Sequence, residues 1–556
     1  MAFCERPSFE TGIEISRRAI EANANECLQV GPWNTPFRTS GTLVLLTEVD
    51  MMVLTGGNWR SPSSRMKSYA MNAPVNTTDG KPLSQRKVTL RAFSERMAGE
   101  RHRWIERNAY FYEDDRRYMR FLVQEGARIL ELGCGIGDLL AALKPSVGVG
   151  VDFSPAMLEQ ARSRHPHLKF VLGDVEDPLV IQGLIGPFDY IVLSDTIGAL
   201  DDCEATLASL QHLCHRETRL IISYYSHLWE PIMTFGSWVG LRMPQVEQNF
   251  LPPIDIQNLL ALADFEVVKR EWRQLLPRRL FGLGPIINRY LGPLPLIRSL
   301  CLRHYLVARS IAKSVPDAVS ATIVVPCRNE RGNVEAVVRR IPRFCEDQEI
   351  IFVEGHSKDR TLEEIQRVIA VYRDRDIKLL VQDGVGKADA VFKGFAHARG
   401  DILMILDADL TMPPEQLPKF WKALSSGKGE FIYGSRLVYP MEKDAMRFLN
   451  LIANRIFSIL FTWLLNQRFT DTLCGTKILM RTDYERIQQN HGYFGDFDPF
   501  GDFELIFGAS KLGLKVVEVP VRYANRTYGE TQISRFQHGL LLMRMVIFAY
   551  RKLKAV

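Results

Sequence analysis

Long apolar runs are missing from this chain. A helix that crosses a bilayer needs roughly 20 consecutive, mostly apolar residues. The nearest approaches are Phe448–Asn466, interrupted by Asn450, Asn454 and Arg455, and Leu540–Tyr550, interrupted by Arg544. No membrane span is expected. A secretion signal is missing too: Met1–Arg18 has no apolar core and carries Glu5, Glu10 and Glu14. Cysteine is scarce and scattered, nine residues in 556, with no CxxC pair and no His/Cys cluster. That argues against zinc and for reduced thiols in the cytoplasm. Strong charge imbalance is also absent. A net charge of +6 is mild for this length. It suits anionic partners such as phosphates or a membrane surface, and no nucleic-acid partner is expected.

What is present fits an enzyme of more than one domain. A chain of 556 residues outgrows one ordinary core. Residues 1–90 are rich in Asn, Thr, Ser, Gly and Pro, with one short apolar run, Thr42–Leu46. They read as a poorly ordered amino-terminal extension, or as the product of a start placed too far upstream. The expected fold class is α/β, two Rossmann-like doubly wound domains. The first is expected over 91–276 and the second over 321–535. Between them lies a basic, apolar connector, 277–320, and 536–556 is expected to form a carboxyl-terminal amphipathic helix.

Arg91–Gln124 has a helical pattern. Ala127–Leu132 then reads as a strand ending at Glu131, followed by Gly133-Cys134-Gly135-Ile136-Gly137-Asp138 and a helical stretch. Strand, glycine-rich turn and helix form the nucleotide-binding opening of a doubly wound sheet. The spacing is GxGxG rather than GxGxxG, and Glu131 would repel a pyrophosphate, which disfavours a nicotinamide dinucleotide. The next strand ends in Asp152, a carboxylate suited to ribose hydroxyls. Gly173-Asp174-Val175 follows a third strand, with Asp174 placed to accept from an adenine amino group. Phe188–Asp195 is a fourth strand.

ELGCGIGD, VDFS, GDVED and FDYIVLSD resemble, in order and spacing, the motifs of class I S-adenosylmethionine-dependent methyltransferases. The resemblance covers roughly Phe93–Leu276. It implies that Glu131, Gly133, Gly135 and Gly137 line the cofactor, that Asp152 holds the ribose, and that Asp174 and Val175 meet the adenine. The methyl acceptor is less legible. Asp195 reads either as a base or as a strand-end cap. Tyr224, Tyr225 and His227 read either as acceptor-pocket residues or as packing side chains.

Arg270–Ser314 alternates Leu, Ile and Tyr with Arg278, Arg279, Arg289, Arg298 and Arg303. Two readings stay open, an interfacial helix pair on anionic lipid and ordinary interdomain helices.

The second domain alternates strands and helices from Ala321, so its ligands belong at strand carboxyl ends. Its centre is Gly400–Glu415, where a buried strand, Ile402–Leu406, ends on Asp407 and Asp409. Two carboxylates this close repel, and a divalent cation relieves the repulsion. Glu330, Glu354, Lys387 and Asp407 all stand at strand ends or helix starts facing the same crevice. A metal-bound diphosphate is the expected ligand.

VVPCRNE, IFVEGHS, GKADAVFKGF, LDADLTMPPE, YGSR, DTLCGTK, FGDFEL and NRTYGE resemble family-2 glycosyltransferases of GT-A fold, above all the dolichyl- and polyprenyl-phosphate sugar transferases. The resemblance covers Thr322 to about Ser534. It implies that Pro326, Glu330 and Glu354 contact the donor nucleoside, that Asp407 and Asp409 hold Mg²⁺ or Mn²⁺, and that Arg436 and Arg526 meet phosphates. Two departures stand out. The second motif has Glu354-Gly355 where the family often has two acids. Tyr528-Gly529-Glu530-Thr531-Gln532 lacks the family's usual lysine.

The expected reaction is inverting transfer from a nucleotide sugar. A polyprenyl-phosphate acceptor needs no strong base, whereas a hydroxyl needs one, and Asp502 and Glu504 are the candidates. Asp409 completes the expected catalytic set. Phe448–Leu465 places Phe448, Ile452, Ile456, Ile459, Leu460 and Trp463 at helical spacing. That predicts peripheral contact with the inner face of the cytoplasmic membrane, the alternative being a core helix. The chain reads as a bifunctional methyltransferase–glycosyltransferase. The alternative is a glycosyltransferase for a soluble hydroxyl acceptor, joined to a cofactor-bound scaffold that does not turn over.

Overall fold

The computed structural model describes residues 83–556, apart from 245, 247, 248, 318, 319, 440–447, 495–500, 527 and 529–534. All of these belong to one unit, Pro74–Val556. The expectations for residues 1–82, for Arg447, for the side chains of Phe448 and Phe536, and for Gly529 to Gln532 lie outside the described residues.

Short runs of Val, Ile and Leu, buried on both faces, build two parallel-rich sheets. The first contains β1 (Arg128–Leu132), β2 (Val147–Asp152), β3 (Lys169–Leu172), β4 (Tyr190–Ser194), β5 (Arg219–Tyr225), β6 (Phe265–Arg273) and β7 (Arg303–Ser310). Their order is β3-β2-β1-β4-β5-β7-β6. β7 runs antiparallel to both β5 and β6. The second sheet contains β8 (Ser320–Cys327), β9 (Asp347–Glu354), β10 (Asp376–Val381), β11 (Ile402–Ile405), β12 (Phe431–Ser435), β13 (Lys477–Met480) and β14 (Val516–Pro520). Their order is β10-β9-β8-β11-β13-β12-β14, with β13 antiparallel to β11 and β12.

In each sheet the chain order reverses at the first strand. β1 lies between β2 and β4, and β8 lies between β9 and β11. Helices leave to opposite faces at such a point, and a crevice opens beyond the strand carboxyl ends. Both candidate sites fall there.

Three expectations need correction. Residues 85–90 are not part of a loose extension: they begin a helix, Gln85–Arg107, capped by Ser84, whose Oγ accepts from Lys87 N at 3.1 Å. A second helix, Ala109–Leu122, follows after Asn108, so 91–124 is two helices. The span 277–320 is not merely a connector, and Arg303 is not on a helix. Arg303 opens β7, which is buried throughout between β5 and β6. Its arginines disguised the strand: Arg303 and Arg309 are buried because carboxylates meet them, Asp115 at 3.0 Å and Glu266 at 2.9 Å.

The two sheets meet through buried charge. Arg219, at the start of β5, donates to both oxygens of Glu430 at 2.9 Å and to Gly513 O at 2.8 Å. Arg309 donates to Gly427 O at 2.8 Å. Arg216 meets Asp483 at 2.6 Å. Near the chain end, Lys554 is buried against Glu271 at 2.6 Å.

Candidate active sites

At the end of β1, the side chain of Glu131 is buried and its Oε2 has no hydrogen-bond partner among the described residues. Burial pushes its pKa well above the ordinary carboxylate value. An unanswered acceptor in a crevice suits a hydroxyl-bearing or cationic ligand. Gly133 turns with φ +76, and a Cβ there would run into Thr196, whose hydroxyl donates to Leu132 O at 2.8 Å. Gly135 and Gly137 also adopt positive φ. Asp152 accepts from the backbone N–H of Gly135 at 2.8 Å and of Ser154 at 3.0 Å, so it hangs the glycine turn from β2. Burial raises its pKa, and those two N–H groups oppose the rise. Asp174 accepts from Glu176 N at 3.0 Å and pairs with Lys87; Val175 beside it is buried. The orphaned Glu131 oxygen and the glycine cradle fit S-adenosylmethionine.

Sequence reasoning missed what the helix Gln85–Arg107 contributes. Lys87 pairs with Asp174 and with Glu176, the latter at 2.6 Å. Arg86 donates to Gly198 O at 2.6 Å and Leu200 O at 2.9 Å, and Glu95 accepts from Ser154 Oγ at 3.0 Å. The helix thus lies along the mouth of the crevice. The N-cap Ser84 was the available signal.

On the acceptor side, Asp195 ends β4 with φ +60, a conformation that costs energy in a non-glycine residue. Its carboxylate accepts from Tyr225 OH at 3.1 Å and from Arg303 at 2.9 and 3.1 Å. Arg303 also pairs with Asp115, which accepts from Tyr305 OH at 2.6 Å. Arg242 stacks over the Tyr225 ring with its guanidinium carbon 5.1 Å from the centroid. Asp195 and Tyr225 are therefore brought together. Tyr224 turns away and donates to Asn249 O at 2.6 Å, and His227 is exposed.

In the second sheet, Pro326 lies near the end of β8 and Glu330 three residues past the strand. Glu330 accepts from Asn333 Nδ2 at 2.7 Å, and burial raises its pKa. Glu354 ends β9 and accepts from the backbone N–H of His356 at 3.1 Å and Ser357 at 2.6 Å, which fixes the following turn. Lys387 opens the helix Lys387–Ala396 and reaches Asp407 at 2.7 Å. Burial alone would raise the Asp407 carboxyl; the Lys387 ammonium offsets this and holds it below its ordinary value. Asp409 accepts from Arg526 at 2.7 Å and from Thr411 Oγ1 at 2.8 Å. Arg526 also reaches Glu330 at 3.3 Å, so one guanidinium joins the β8 and β11 ends. Glu330, Asp409 and Arg526 thus form one group, and the Lys387–Asp407 pair stands beside it, two residues back along the chain from Asp409.

The remaining candidates are paired with other side chains. Arg436 forks onto Asp471 at 2.6 and 2.8 Å. Asp502 and Glu504 sit on a helix, Asp502–Lys511, rather than in extended chain. Asp502 meets Lys477 at 2.8 Å, while the buried Glu504 meets His491 at 2.8 Å. Asp471, Gly475 and Lys477 were missed as site residues, although DTLCGTK contains all three. A Cβ on Gly475 would overlap the Asp407 carboxylate and lie 2.7 Å from Lys387 Nζ. Among the described residues no third His, Cys, Asp or Glu joins Asp407 and Asp409 in a metal-binding group. Two hard oxygen donors fit Mg²⁺ or Mn²⁺ as an ion that completes its shell on a bound diphosphate.

Residues 103–270 match the family model described as a methyltransferase domain, and residues 322–488 match Glycosyl transferase family 2. The chain joins a methyltransferase domain to a family 2 glycosyltransferase domain. Its two sheets give it a two-domain α/β architecture. The glycosyltransferase half is similar to the dolichol-phosphate mannosyltransferase of Pyrococcus furiosus, 28% identical over 42% of this chain and 64% of the relative. It is also similar to an undecaprenyl-phosphate 4-deoxy-4-formamido-L-arabinose transferase from an Enterobacter species, 25% identical over 38% of this chain and 62% of the relative. The chain thus spans less than two thirds of the length of these relatives. Among solved structures, a methyltransferase from Thermotoga maritima shares 19% identity and covers 40% of this chain and 99% of its own, with a TM-score of 0.31. The glucosyl-3-phosphoglycerate synthase of Mycobacterium tuberculosis, crystallised with Mn²⁺, UDP and its product, shares 16% identity and covers 44% of this chain and 84% of its own, with a TM-score of 0.32.

Proposed function

We propose that the chain is bifunctional. The first domain transfers methyl groups from S-adenosylmethionine. The second transfers a sugar, with inversion, from a metal-bound nucleotide sugar to a polyprenyl phosphate. The observation that carries the glycosyl reading is the Lys387–Asp407 pair beside the Glu330–Arg526–Asp409 group at the β8 and β11 ends. Lys387 and Arg526 neutralise the two aspartates in the ligand-free protein, and both face the crevice where a diphosphate belongs.

Asp407 and Asp409 would hold the divalent ion, which supplies charge stabilisation for the departing nucleoside diphosphate. Lys387 and Arg526 would turn from the aspartates to diphosphate oxygens. Pro326, Glu330 and Glu354 would border the nucleoside. The state of Asp502 and Glu504 bears on the acceptor. Asp502 is tied to Lys477, and Glu504 is buried on His491. Neither is arranged as a ready base, which favours an acceptor that arrives as an anion. The apolar side chains Ile452, Ile456, Ile459, Leu540, Met543 and Ile547 are exposed on two packed helices, Phe448–Leu465 and Arg535–Ala549. We assign them peripheral contact with the bilayer that holds the acceptor. Among the described residues no helix is long and apolar enough to cross a membrane.

The test is transfer from a panel of labelled nucleotide sugars, with and without polyprenyl phosphate and Mg²⁺ or Mn²⁺, by wild type and Asp409→Ala. Lipid-dependent label that falls at least a hundredfold in the variant supports the reading. Turnover indifferent to lipid would move the assignment to a soluble hydroxyl acceptor. For the first domain, calorimetry with S-adenosylmethionine, followed by transfer of its labelled methyl group to a cell extract, separates an enzyme from a scaffold.

A further inference from the structure

The chain from Tyr225 to Met243 leaves the methyl-transfer crevice and returns to it. Tyr225 donates to Asp195 at its start. At its end Arg242 stacks over Tyr225, and Met243 Sδ accepts from Arg101 at 3.7 Å. Its middle is the helix Glu230–Trp238, with Ile232 and Phe235 exposed and Trp238 79% exposed. A second segment, 278–300, is clasped to it at both ends. Arg278 donates to Leu241 O at 3.3 Å, and Trp229 Nε1 donates to Leu300 O at 2.8 Å. This second segment presents Phe281, fully exposed, Ile286, and Leu296 at 90% exposure. Isolated exposed apolar residues need no explanation, but several of them on two segments clasped together mark a contact surface.

Positive charge prevails along this second segment, although Glu113 pairs with Arg279 at 3.0 Å and Glu230 opens the helix of the first segment. Between Pro277 and Cys301 there are four arginines, Arg278, Arg279, Arg289 and Arg298, and no Asp or Glu. The patch also continues onto the apolar helices of the glycosyltransferase half. Tyr550 OH donates to Tyr290 O at 2.6 Å, Trp463 Nε1 to Pro293 O at 2.9 Å, and Arg289 Nε to Ala555 O at 2.8 Å. Protruding aromatic and aliphatic side chains ringed by arginine match an anionic bilayer, which takes the rings at headgroup depth and pairs the guanidinium groups.

We propose that the methyltransferase half is itself seated on an anionic membrane through this patch and draws its methyl acceptor from it, an amphiphile whose polar group reaches Asp195 and Tyr225. The inference rests on the methyl-transfer reading for its second part only. The acceptor heteroatom bonds to the methyl carbon, the S–CH₃ bonding pair returns to sulfur to leave a neutral thioether, and the acceptor's proton passes to water. The patch rims the acceptor side of the crevice, so the lipid would not have to leave the bilayer to react.

The test uses the full chain and vesicles of phosphatidylcholine with or without phosphatidylglycerol. Two variants are compared with wild type: Phe235→Ser/Trp238→Ser/Phe281→Ser in the patch, and Ile456→Ser/Ile459→Ser on the other half. All replaced side chains are exposed, so folding should survive, which circular dichroism and S-adenosylmethionine calorimetry verify. The expected result is co-sedimentation that requires phosphatidylglycerol, falls at least tenfold in the patch variant, and falls separately in the other. Labelled methyl from S-adenosylmethionine should partition into the organic phase of a lipid extract, with the patch variant slowed at least tenfold at unchanged cofactor affinity. Unchanged vesicle binding by the patch variant overturns the proposal. So does a wild type that stays out of the vesicle fraction, as it would if a protein partner covers the patch. Loss of self-association in place of vesicle binding would make the face an interface between copies. Absence of cofactor binding in wild type sinks the methyl-transfer reading while the vesicle result still decides the surface.

Discussion

At the scale of single residues, both crevices depend on atoms placed where an ordinary side chain would interfere or stay uncompensated. Gly475→Ala should reduce glycosyl transfer by at least a hundredfold with little change in melting temperature, because the added methyl overlaps Asp407 and crowds Lys387. Steady-state kinetics beside a thermal melt checks this. Glu131 carries the opposite kind of cost. Its pKa is raised by burial, so its ionisation disfavours the folded state as pH climbs above the ordinary carboxylate value of about 4.3. Glu131→Gln should therefore raise the melting temperature of the ligand-free protein at pH 8 and weaken S-adenosylmethionine binding at least tenfold by calorimetry. Glu131 was legible because it sits in a short motif at a strand end, whereas Gly475 was missed, because what matters there is the packing of Asp407 and Lys387 against its backbone. Lys87, Asp471 and Lys477 were missed too, since their importance arises from pairing with Asp174, Arg436 and Asp502 across long stretches of chain.

At the scale of elements, the strand and helix alternation was readable from runs of β-branched residues and the glycine turns between them. β7 was not. A strand buried on both faces ordinarily reads as continuous apolar sequence, and RHYLVARS has an arginine at each end whose partners come from distant elements. A comparable pairing supports the starts of β4 and β5. His215 bridges Asp189 at 3.1 Å and Glu217 at 2.9 Å. The hydrogen bond to Asp189, then that to Glu217, lifts its pKa to about 9. A raised histidine contributes stability that is fully present below its unfolded value near 6.5 and is lost as pH rises through about 9. His215→Gln should therefore flatten the stability profile across that window. The groups are partly exposed, so the change should stay within about 1 kcal/mol. Urea melts at pH 6, 8 and 9.5 would show it.

At the scale of the whole molecule, the halves are joined by charges that cannot easily be parted. Arg219 and Glu430 are 1% and 2% exposed at the side chain. Burial would raise the Glu430 carboxyl, and Arg219 overrides it and holds the pKa below its ordinary value. Glu430→Ala should cost about 3–5 kcal/mol by stranding the guanidinium, whereas Arg219→Met with Glu430→Leu should recover most of the loss. Thermal unfolding of the three proteins tests this, and a single variant as harmful as the pair would sink it. The arrangement of the junction was beyond the reach of sequence, because nothing local marks Arg219 as a partner of a residue 211 positions away.

That junction has a further consequence. Arg219 begins β5, and its partners Glu430 and Gly513 come just before β12 and β14. At this contact the halves touch at strand amino-terminal ends, the ends opposite the two crevices. On the bifunctional reading proposed above, anything made in one crevice would be released before the other received it. Two chains, one dead at Glu131 and the other at Asp409, should together run a two-step conversion as fast as intact protein with the same number of working sites. A scavenger added to the mixture should intercept the intermediate equally well in both cases.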